Sequence, residues 1–456
     1  MNKIETESLC KPLWRYGLFA IDSEILTESS LSFDQQSLSI ADQTIPKNEI
    51  DRVLVVGAGK AGAGMAKGLL KSFQRAKLEM PLEGIVIVPD NCVEELGPIT
   101  LHGGRPQGVN EPTSRGQEGA RQMLDLVNSA GPRDLVICLV SGGGSALAPL
   151  PVDSVELEAK QEMTRFLSRA GANINQLNCV RSAISQIKGG GLVREFSGHS
   201  LHTLIISDVL GNPLETIASG MTVPQSIDYE LALKVLDQFD PDRKAINDSI
   251  YKAIELGHNN PNVVSPSSDN IFHHIVGDNS KCVEAIANMA NQLGYEVEHE
   301  AATEDEGDVS VVADRLWQTM NSRIQKGGMI RPYCLVSGGE PTVTLNNADG
   351  KGGRNQHLAL LMLNKLKESH LPGTLDFEFV SLGTDGEDGP TDAAGAKVNP
   401  FILSKMLDQN LDIAQAIRSN NSYPFFDQLD GLIKTGPTHT NVCDIRVLVV
   451  QDNSMN

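Results

Sequence analysis

Aromatic residues are scarce, at 4% of a 456-residue chain with two tryptophans, and that leaves little for stacking on nucleic-acid bases. Positive charge is short as well. Lys and Arg total 38 against 58 Asp and Glu, a net charge of −20, which argues against a chain built to coat the phosphates of nucleic acid or an anionic membrane. The seven cysteines (Cys10, Cys92, Cys138, Cys179, Cys282, Cys334, Cys443) are scattered and never reach a CxxC spacing. A zinc ribbon is excluded and a disulfide framework is not expected. No segment approaches ~18 apolar residues without a charge, so no membrane-spanning helix is expected. The opening MNKIETESLCKPLWRYGLFAID reads as lacking a secretory signal, and the expected location is the reducing cytoplasm. GxxxxGK[ST], HRD with DFG, and HExxH are all absent from the sequence, which closes the familiar NTPase, protein kinase and zinc protease routes.

What is present is an ordinary globular composition, 40% hydrophobic with 42 Gly and 22 Pro spread along the chain. At ~100–200 residues per domain the length predicts two or three domains. Apolar β-branched runs recur, each ending in glycines and followed by a helical pattern: 53–56 before GAGKAGAG, 135–140 before SGGGSA, and 201–206 before SDVLGN. Repetition of strand, glycine turn and helix predicts α/β units around a parallel sheet. The stretches 113–130, 154–170 and 175–187 carry apolar residues at helical spacing with Glu, Gln, Arg and Lys between them, and read as covering helices with a solvated outer face. The polar, Pro- and Asn-rich stretch 257–270 reads as a linker, dividing the chain into domains 1–260 and 270–456. Beyond it a second α/β series is expected: strands at 272–276, 295–298, 333–336, 377–382 and 445–450, and helices at 280–293, 309–324 and 358–366. LVSGG occurs at 139–143 and again at 335–339, each time at the end of an apolar run. Glycine loops at strand ends in two halves point to an active site in the cleft between the domains, beyond the carboxyl ends of the strands.

Gly57, Gly59 and Gly62 form GxGxxG directly after the run VLVV. Their missing side chains let a phosphate approach the backbone, and the following helix offers free N–H groups. Lys60 inside that loop adds a cation, which phosphoryl transfer uses and a dinucleotide fold does not require; the alternative is a tight strand-to-helix turn carrying a solvated lysine. The acid such a fold needs for a ribose is expected ~20 residues further on, where Glu79 and Glu83 fall in a predicted loop. The second loop, Ser141, Gly142, Gly143, Gly144 and Ser145, suits a polyphosphate nest. It also suits an oxyanion hole with Ser145 as nucleophile, but the second glycine of GxSxG is missing. Lys188 and Gly189 close a helical stretch, where a glycine cap accounts for Gly189; three glycines in a row ask for close passage of a loop or a ligand. Asp208 ends a strand and reads either as a Mg²⁺ ligand or base, or as a turn residue.

In the second half, GKGGRNQ runs into a helix and places Arg354 at its N-terminus, against the helix dipole, so a bound anion would relieve it. Glu340 reads as orienting Arg354 or a hydroxyl substrate, or as a solvated acid. The stretch 383–392 packs acids among glycines, and Asp385 and Asp388 read as metal ligands or as a solvated turn.

Taken in order, GAGKA, VSGGGSA, VRSAISQIKGGGL, SDVLGNPLETIASG, VSGGEPTVTL, GKGGRNQHLAL, GTDGEDGPTDAAGA and KTGPTHTNV resemble the glycerate kinase family that carries a C-terminal MOFRL domain, a resemblance spanning residues ~50–450. It implies an N-terminal Rossmann-like domain and a smaller C-terminal α/β domain with the MOFRL region at about 331–450. It also implies ATP- and Mg²⁺-dependent phosphorylation of D-glycerate to 2-phosphoglycerate. Lys60 and Arg354 match the family's catalytic pair, with Asp208 as acid/base or metal partner. Nucleotide contacts then fall to Gly57, Gly59, Ser141, Gly142, Gly143, Gly144, Ser145, Lys188 and Gly189, substrate contacts to Glu340, Asn355 and Asp385, and metal contacts to Asp208, Asp385 and Asp388. The chain departs from the family pattern at Gly191, Asn212, Met221, His357 and His439, and in 102–108, so the preferred hydroxy acid is open. The partner expected is a small molecule, with no nucleic acid or membrane, and a homo-oligomer is compatible. Two alternatives stay open: a nicotinamide-dependent hydroxypyruvate reductase, and a non-catalytic sugar-phosphate-binding regulator.

Overall fold

The computed structural model describes residues 8–106, 111–259, 268–325, 331–345, 349–369 and 374–452. They form two compact units, one of residues 23–207 with 212–276 and one of residues 1–22 with 208–211 and 277–456.

The first unit is built on a seven-stranded sheet in the lateral order Ile271–Gly277, Ser200–Ile206, Asp134–Ser141, Arg52–Ala58, Leu82–Pro89, Ile99–Arg105 and Glu95–Leu96. All eight residues of Asp134–Ser141 are buried, and this strand runs parallel to both neighbours. Its unbroken apolar run is what a parallel strand covered on both faces requires. Helices Gly62–Ala76 and Ser114–Asn128 belong to the covering layers, with Thr113 capping the second by accepting the Gly116 N–H at 3.0 Å. A separate layer, Leu157–Arg169, Ile174–Ala183, Tyr229–Phe239 and Asp248–Asn259, shares a core that includes Met163, Leu167, Val180, Leu236 and Ile250. A small antiparallel meander, Leu31–Phe33, Ser37–Ile40 and Gln43–Pro46, precedes the sheet.

Two sequence expectations change here. The strand expected at 272–276 opens no second series, because it pairs at the edge of the first sheet beside Ser200–Ile206. The units therefore part at 276/277, not within 257–270, and residues 260–267 of that stretch lie outside the described residues. Backbone hydrogen bonding decides which sheet a strand joins, and a polar composition beside it does not. Glu83, expected in a loop, lies in the strand Leu82–Pro89 and pairs with Arg52 at 2.8 Å.

The second unit has a six-stranded sheet in the order Glu296–Ala301, Tyr333–Gly339, Asp444–Asp452, Leu375–Gly383, Gly395–Val398 and Leu432–Ile433. The first pair is parallel and the other four are antiparallel. The final strand, Asp444–Asp452, is central, and its first residue lies opposite Gly339 on one side and Gly383 on the other. Helix Arg354–Glu368 shares a core with the sheet that includes Leu358, Met362, Phe379 and Leu448. The helix Lys11–Ala20, from the start of the chain, also belongs to this unit, where the Cys10 N–H donates to Glu378 Oε2 at 3.0 Å. Among the described residues no helix is long and apolar enough to cross a membrane.

Candidate active site

Strand Arg52–Ala58 turns through Gly59, Lys60 and Ala61 into helix Gly62–Ala76, and Ala58 lies level with Val140 of the neighbouring strand. That register sets the two glycine loops side by side. The Lys60 N–H donates to Gly142 O at 2.9 Å, and the Ala61 N–H to Ser141 Oγ at 3.0 Å. A Cβ on Gly59 would stand 2.0 Å from Ser141 Oγ, and one on Gly57 2.3 Å from Leu139 O. Both glycines are there because the backbones pass too closely for a side chain. Gly57→Ala is accordingly expected to cost about 3 kcal/mol or more, seen as a lowered melting temperature or lost soluble protein. An unchanged melting temperature would refute the close approach.

Gly143, at φ +79°, takes the left-handed conformation that opens the four-residue helix Gly144–Leu147. A Cβ there would lie 3.0 Å from Arg105 Nη2 and 3.6 Å from Lys60 Cγ, so two cationic side chains flank this glycine. Sequence reasoning assigned Arg105 no role, although an arginine ending an apolar strand beside two glycines was a usable signal. It is 3% exposed.

Lys188 is equally buried. Its Nζ donates to Ser145 O at 3.2 Å and to Ser219 Oγ at 3.0 Å, and also contacts Ser145 Oγ. The two serine hydroxyls are 3.0 Å apart. Ala218, Ser219 and Gly220 are consecutive left-handed residues, at φ +48°, +58° and +58°. For the two non-glycine members such backbone costs ~1–3 kcal/mol each, a strain concentrated at functional sites. The Gly189 N–H donates to Ser219 O at 3.0 Å and the Gly190 N–H to Gly220 O at 2.8 Å. Side chains are excluded from the glycine run at 189–191 by other neighbours: a Cβ on Gly189 would meet Ile227 Cδ1 at 2.5 Å, one on Gly190 Val223 O at 2.5 Å and one on Gly191 Gln186 O at 2.3 Å. Burial, and then the charges of Lys160 and Arg181, push Lys188 well below the ordinary lysine range.

In the second unit Arg354 opens its helix, as expected, but the chain supplies its own anions there. Arg354 Nε donates to Asp444 Oδ2 at 2.5 Å and Nη2 to Asp444 Oδ1 at 3.0 Å, a bidentate fork, while Nη1 pairs with Glu340 Oε1 at 3.0 Å. Asp444 is 1% exposed. Burial works against the Arg354 charge, but Asp444 and then Glu340 outweigh it and hold the guanidinium above its usual range. Glu340 is raised by burial, with Arg354 opposing. Asp444 was missed in the sequence because an acid beginning an apolar strand reads as a turn residue, and only the antiparallel pairing brings it to Arg354.

Asp388 departs from its expected role as a metal ligand. Its oxygens accept the Asn355 N–H at 3.0 Å and the Gln356 N–H at 2.8 Å, capping the helix that Gly353 leaves uncapped. A Cβ on Gly353 would meet Asp388 Oδ1 at 2.2 Å, which is why a glycine stands there. Burial pushes the Asp388 carboxyl up to about 7, with the two amide bonds pulling back. Asn355, expected to contact substrate, is 2% exposed, and its Oδ1 accepts from Ser381 Oγ at 2.6 Å. Both residues turn inward because a buried helix start must satisfy its amides. Asp385 Oδ1 accepts the Glu387 N–H at 3.1 Å; a Cβ on Gly383 would stand 3.3 Å from that oxygen and 3.7 Å from Asp444 Oδ1. Asp208 lies two residues beyond Ile206, which pairs level with Ser141; it belongs to the second unit, where its Oδ2 accepts from Asn441 Nδ2 at 3.1 Å and its carbonyl from the Cys443 thiol at 3.0 Å. Among the described residues no group of three His, Cys, Asp or Glu is arranged to hold a metal ion.

The echoed LVSGG is used differently in the second unit. A Cβ on Gly338 would stand 1.8 Å from Asn279 Oδ1 and one on Gly339 1.9 Å from Glu306 Oε2, so packing side chains occupy that space.

Residues 9–255 match the family described as a domain of unknown function (DUF4147), and residues 333–444 match the MOFRL family. A glycerate kinase of Mus musculus is 32% identical over 96% of this chain and 92% of that protein. The chain belongs to the MOFRL-containing glycerate kinase family. Within this family a glycerate 2-kinase of Pyrococcus horikoshii is 34% identical, over 88% of this chain and 87% of its own length. A crystal structure of a glycerate kinase from Thermotoga maritima superposes with a TM-score of 0.81 at 29% identity, covering 97% of this chain and 99% of the other. The DUF4147 match contains Lys60, Ser145 and Lys188, and the MOFRL match contains Glu340 and Arg354 and ends on Asp444.

Proposed function

We propose that this protein is a glycerate kinase that transfers the terminal phosphoryl group of ATP to the 2-hydroxyl of D-glycerate, giving 2-phosphoglycerate. The observation that carries the chemistry is Lys60 standing with the buried Arg105 over Gly143, at adjoining strand ends rich in backbone donors. Phosphoryl transfer is dominated by positioning and by neutralising charge on the moving group. Lys60 supplies that charge. Arg354, oriented by Asp444 and Glu340, takes the glycerate carboxylate or a phosphoryl oxygen, and Glu340 or Asp208 accepts the hydroxyl proton. Mg²⁺ would add charge neutralisation on the donor phosphates. It needs only one or two carboxylates beside those phosphates, which fits described residues that form no three-ligand cage; the carboxylates assigned are Asp385 and, where Glu340 takes the proton, Asp208, Asp388 being committed to its helix.

One observation favours the reductase as a second reading. Asp90 directly follows the strand Leu82–Pro89, where a dinucleotide fold places its ribose-binding acid, and its Oδ1 is buried without a hydrogen-bond partner among the described residues. Its other oxygen pairs with Arg115 at 2.6 Å. A coupled assay separates the two readings: ADP release with D-glycerate and Mg²⁺ is expected, with the phosphate located at the 2-position by NMR. NADH oxidation with hydroxypyruvate in the absence of ADP release would overturn the kinase.

A further inference from the structure

We propose that a cationic cavity in the first unit, walled by Lys160, Arg181 and Lys188, seats the polyphosphate tail of the donor nucleotide. This rests on the kinase reading and extends it to two residues that reading does not use.

The cavity measures about 320 Å³, and Gly143, Ser145 and Thr164 also line it. Lys160 sits on helix Leu157–Arg169 three residues after Leu157 and three before Met163, both buried. It therefore lies on the apolar stripe, although the sequence suggested a solvated position. Its side chain is 3% exposed, and among the described residues no acceptor is within hydrogen-bond distance of Nζ. A buried ammonium with no acceptor is strongly disfavoured. Arg181 has no ion pair among the described residues, and Lys188 donates to neutral oxygens alone. Among the described residues the only acid in the lining, Glu111, faces Arg165 at 3.6 Å. Lys160, Arg181 and Lys188 thus share one cavity while Glu111 is turned to Arg165, and a multiply charged anion completes their coordination.

The lining also indicates which part of the nucleotide enters. Among the described residues it contains no aromatic ring to take a base, and it shares Gly143 with the Lys60 and Arg105 cations, so a chain of phosphates entering here ends beside Lys60. Burial, and then the charge of Arg181, hold Lys160 down at about 8, and a bound polyanion would restore its proton.

The test is calorimetric titration of the full chain with inorganic tripolyphosphate at pH 9, in buffers of differing ionisation heat. Binding with proton uptake is expected. In Lys160→Met the affinity falls at least about tenfold and the uptake by about one proton. Arg181→Gln likewise weakens binding. Lys160→Met without ligand should melt at least as high as wild type, since a buried charge is removed; this separates lost binding from lost fold. ADP, and not 2-phosphoglycerate, displaces tripolyphosphate. Wild-type affinity in both variants, or displacement by 2-phosphoglycerate alone, overturns the proposal. ADP release from D-glycerate by the wild type is scored separately. If it occurs while the variants bind tripolyphosphate normally, the cavity assignment falls and the kinase stands. If it is absent while tripolyphosphate binding depends on Lys160, the kinase falls and the anion site stands.

Discussion

Lys60→Ala is expected to lower kcat for glycerate phosphorylation by about 10²–10³-fold, the usual loss when one preorganised charge-stabilising group is removed from a transition state, while leaving the melting temperature nearly unchanged. Separation of the two effects follows from the turn. Its geometry is held by the backbone, through the Lys60 N–H to Gly142 O and the Ala61 N–H to Ser141 Oγ, and none of these atoms belongs to the lysine side chain. That side chain is only partly buried, so little packing is lost with it. An interaction made mainly in the transition state lowers kcat and kcat/KM together, whereas a ground-state phosphate contact raises KM alone. Lys60→Arg keeps the charge and is expected to recover part of the rate. Near-normal turnover in Lys60→Ala would sink the assigned role.

Arg354→Ala is expected to abolish measurable turnover and also to destabilise the protein, which distinguishes it from the lysine variant. Asp444 is 1% exposed and receives both arms of the Arg354 fork. Removing the arginine leaves a buried carboxylate without its counter-charge. Breaking a fully buried pair from one side costs about 3–5 kcal/mol. Because the Arg354 side chain is 34% exposed, roughly 2–4 kcal/mol is expected after discounting for solvent screening. At ~2–4 °C per kcal/mol for a unit of this size, the melting temperature should fall by roughly 5–15 °C. Arg354→Met combined with Asp444→Leu removes both charges and should recover much of that stability with no activity. If Arg354→Ala melts like wild type, the fork is not a stabilising pair in solution.

The apolar runs of the first sheet were legible because a parallel strand buried on both faces has to be apolar throughout, and the glycines after those runs announced loops that approach other backbone. Lys60 and Arg354 were legible for a different reason. Each is a cation in a glycine-rich turn, where a solvated residue has no special reason to be. Asp444, Arg105 and Lys160 were not read from the sequence, and the causes differ. Asp444 begins a strand whose partners lie far away in the chain, opposite Gly339 and Gly383. Arg105 needed the neighbouring loop at Gly143 to define it. Lys160 could have been found, since its spacing from Leu157 and Met163 puts it on the buried side of its helix.

The scarcity of positive charge acquires a sharper meaning against these positions. Lys60, Arg105, Lys160, Arg181 and Lys188 all belong to the first unit, so a chain with a net charge of −20 still gathers cations around one pair of strand ends. Charge acts over a Debye length, about 8–10 Å at ordinary salt, and the local set counts for more than the total. By itself the sequence determined the element types, the glycine loops and the cations they carry, because these depend on local periodicity and on where a side chain cannot fit. Tertiary structure alone decided that Asp388 caps a helix and that Asp444 grips Arg354. Each of those depends on a long-range pairing whose partners are set by burial and hydrogen-bond satisfaction, and no local pattern encodes them.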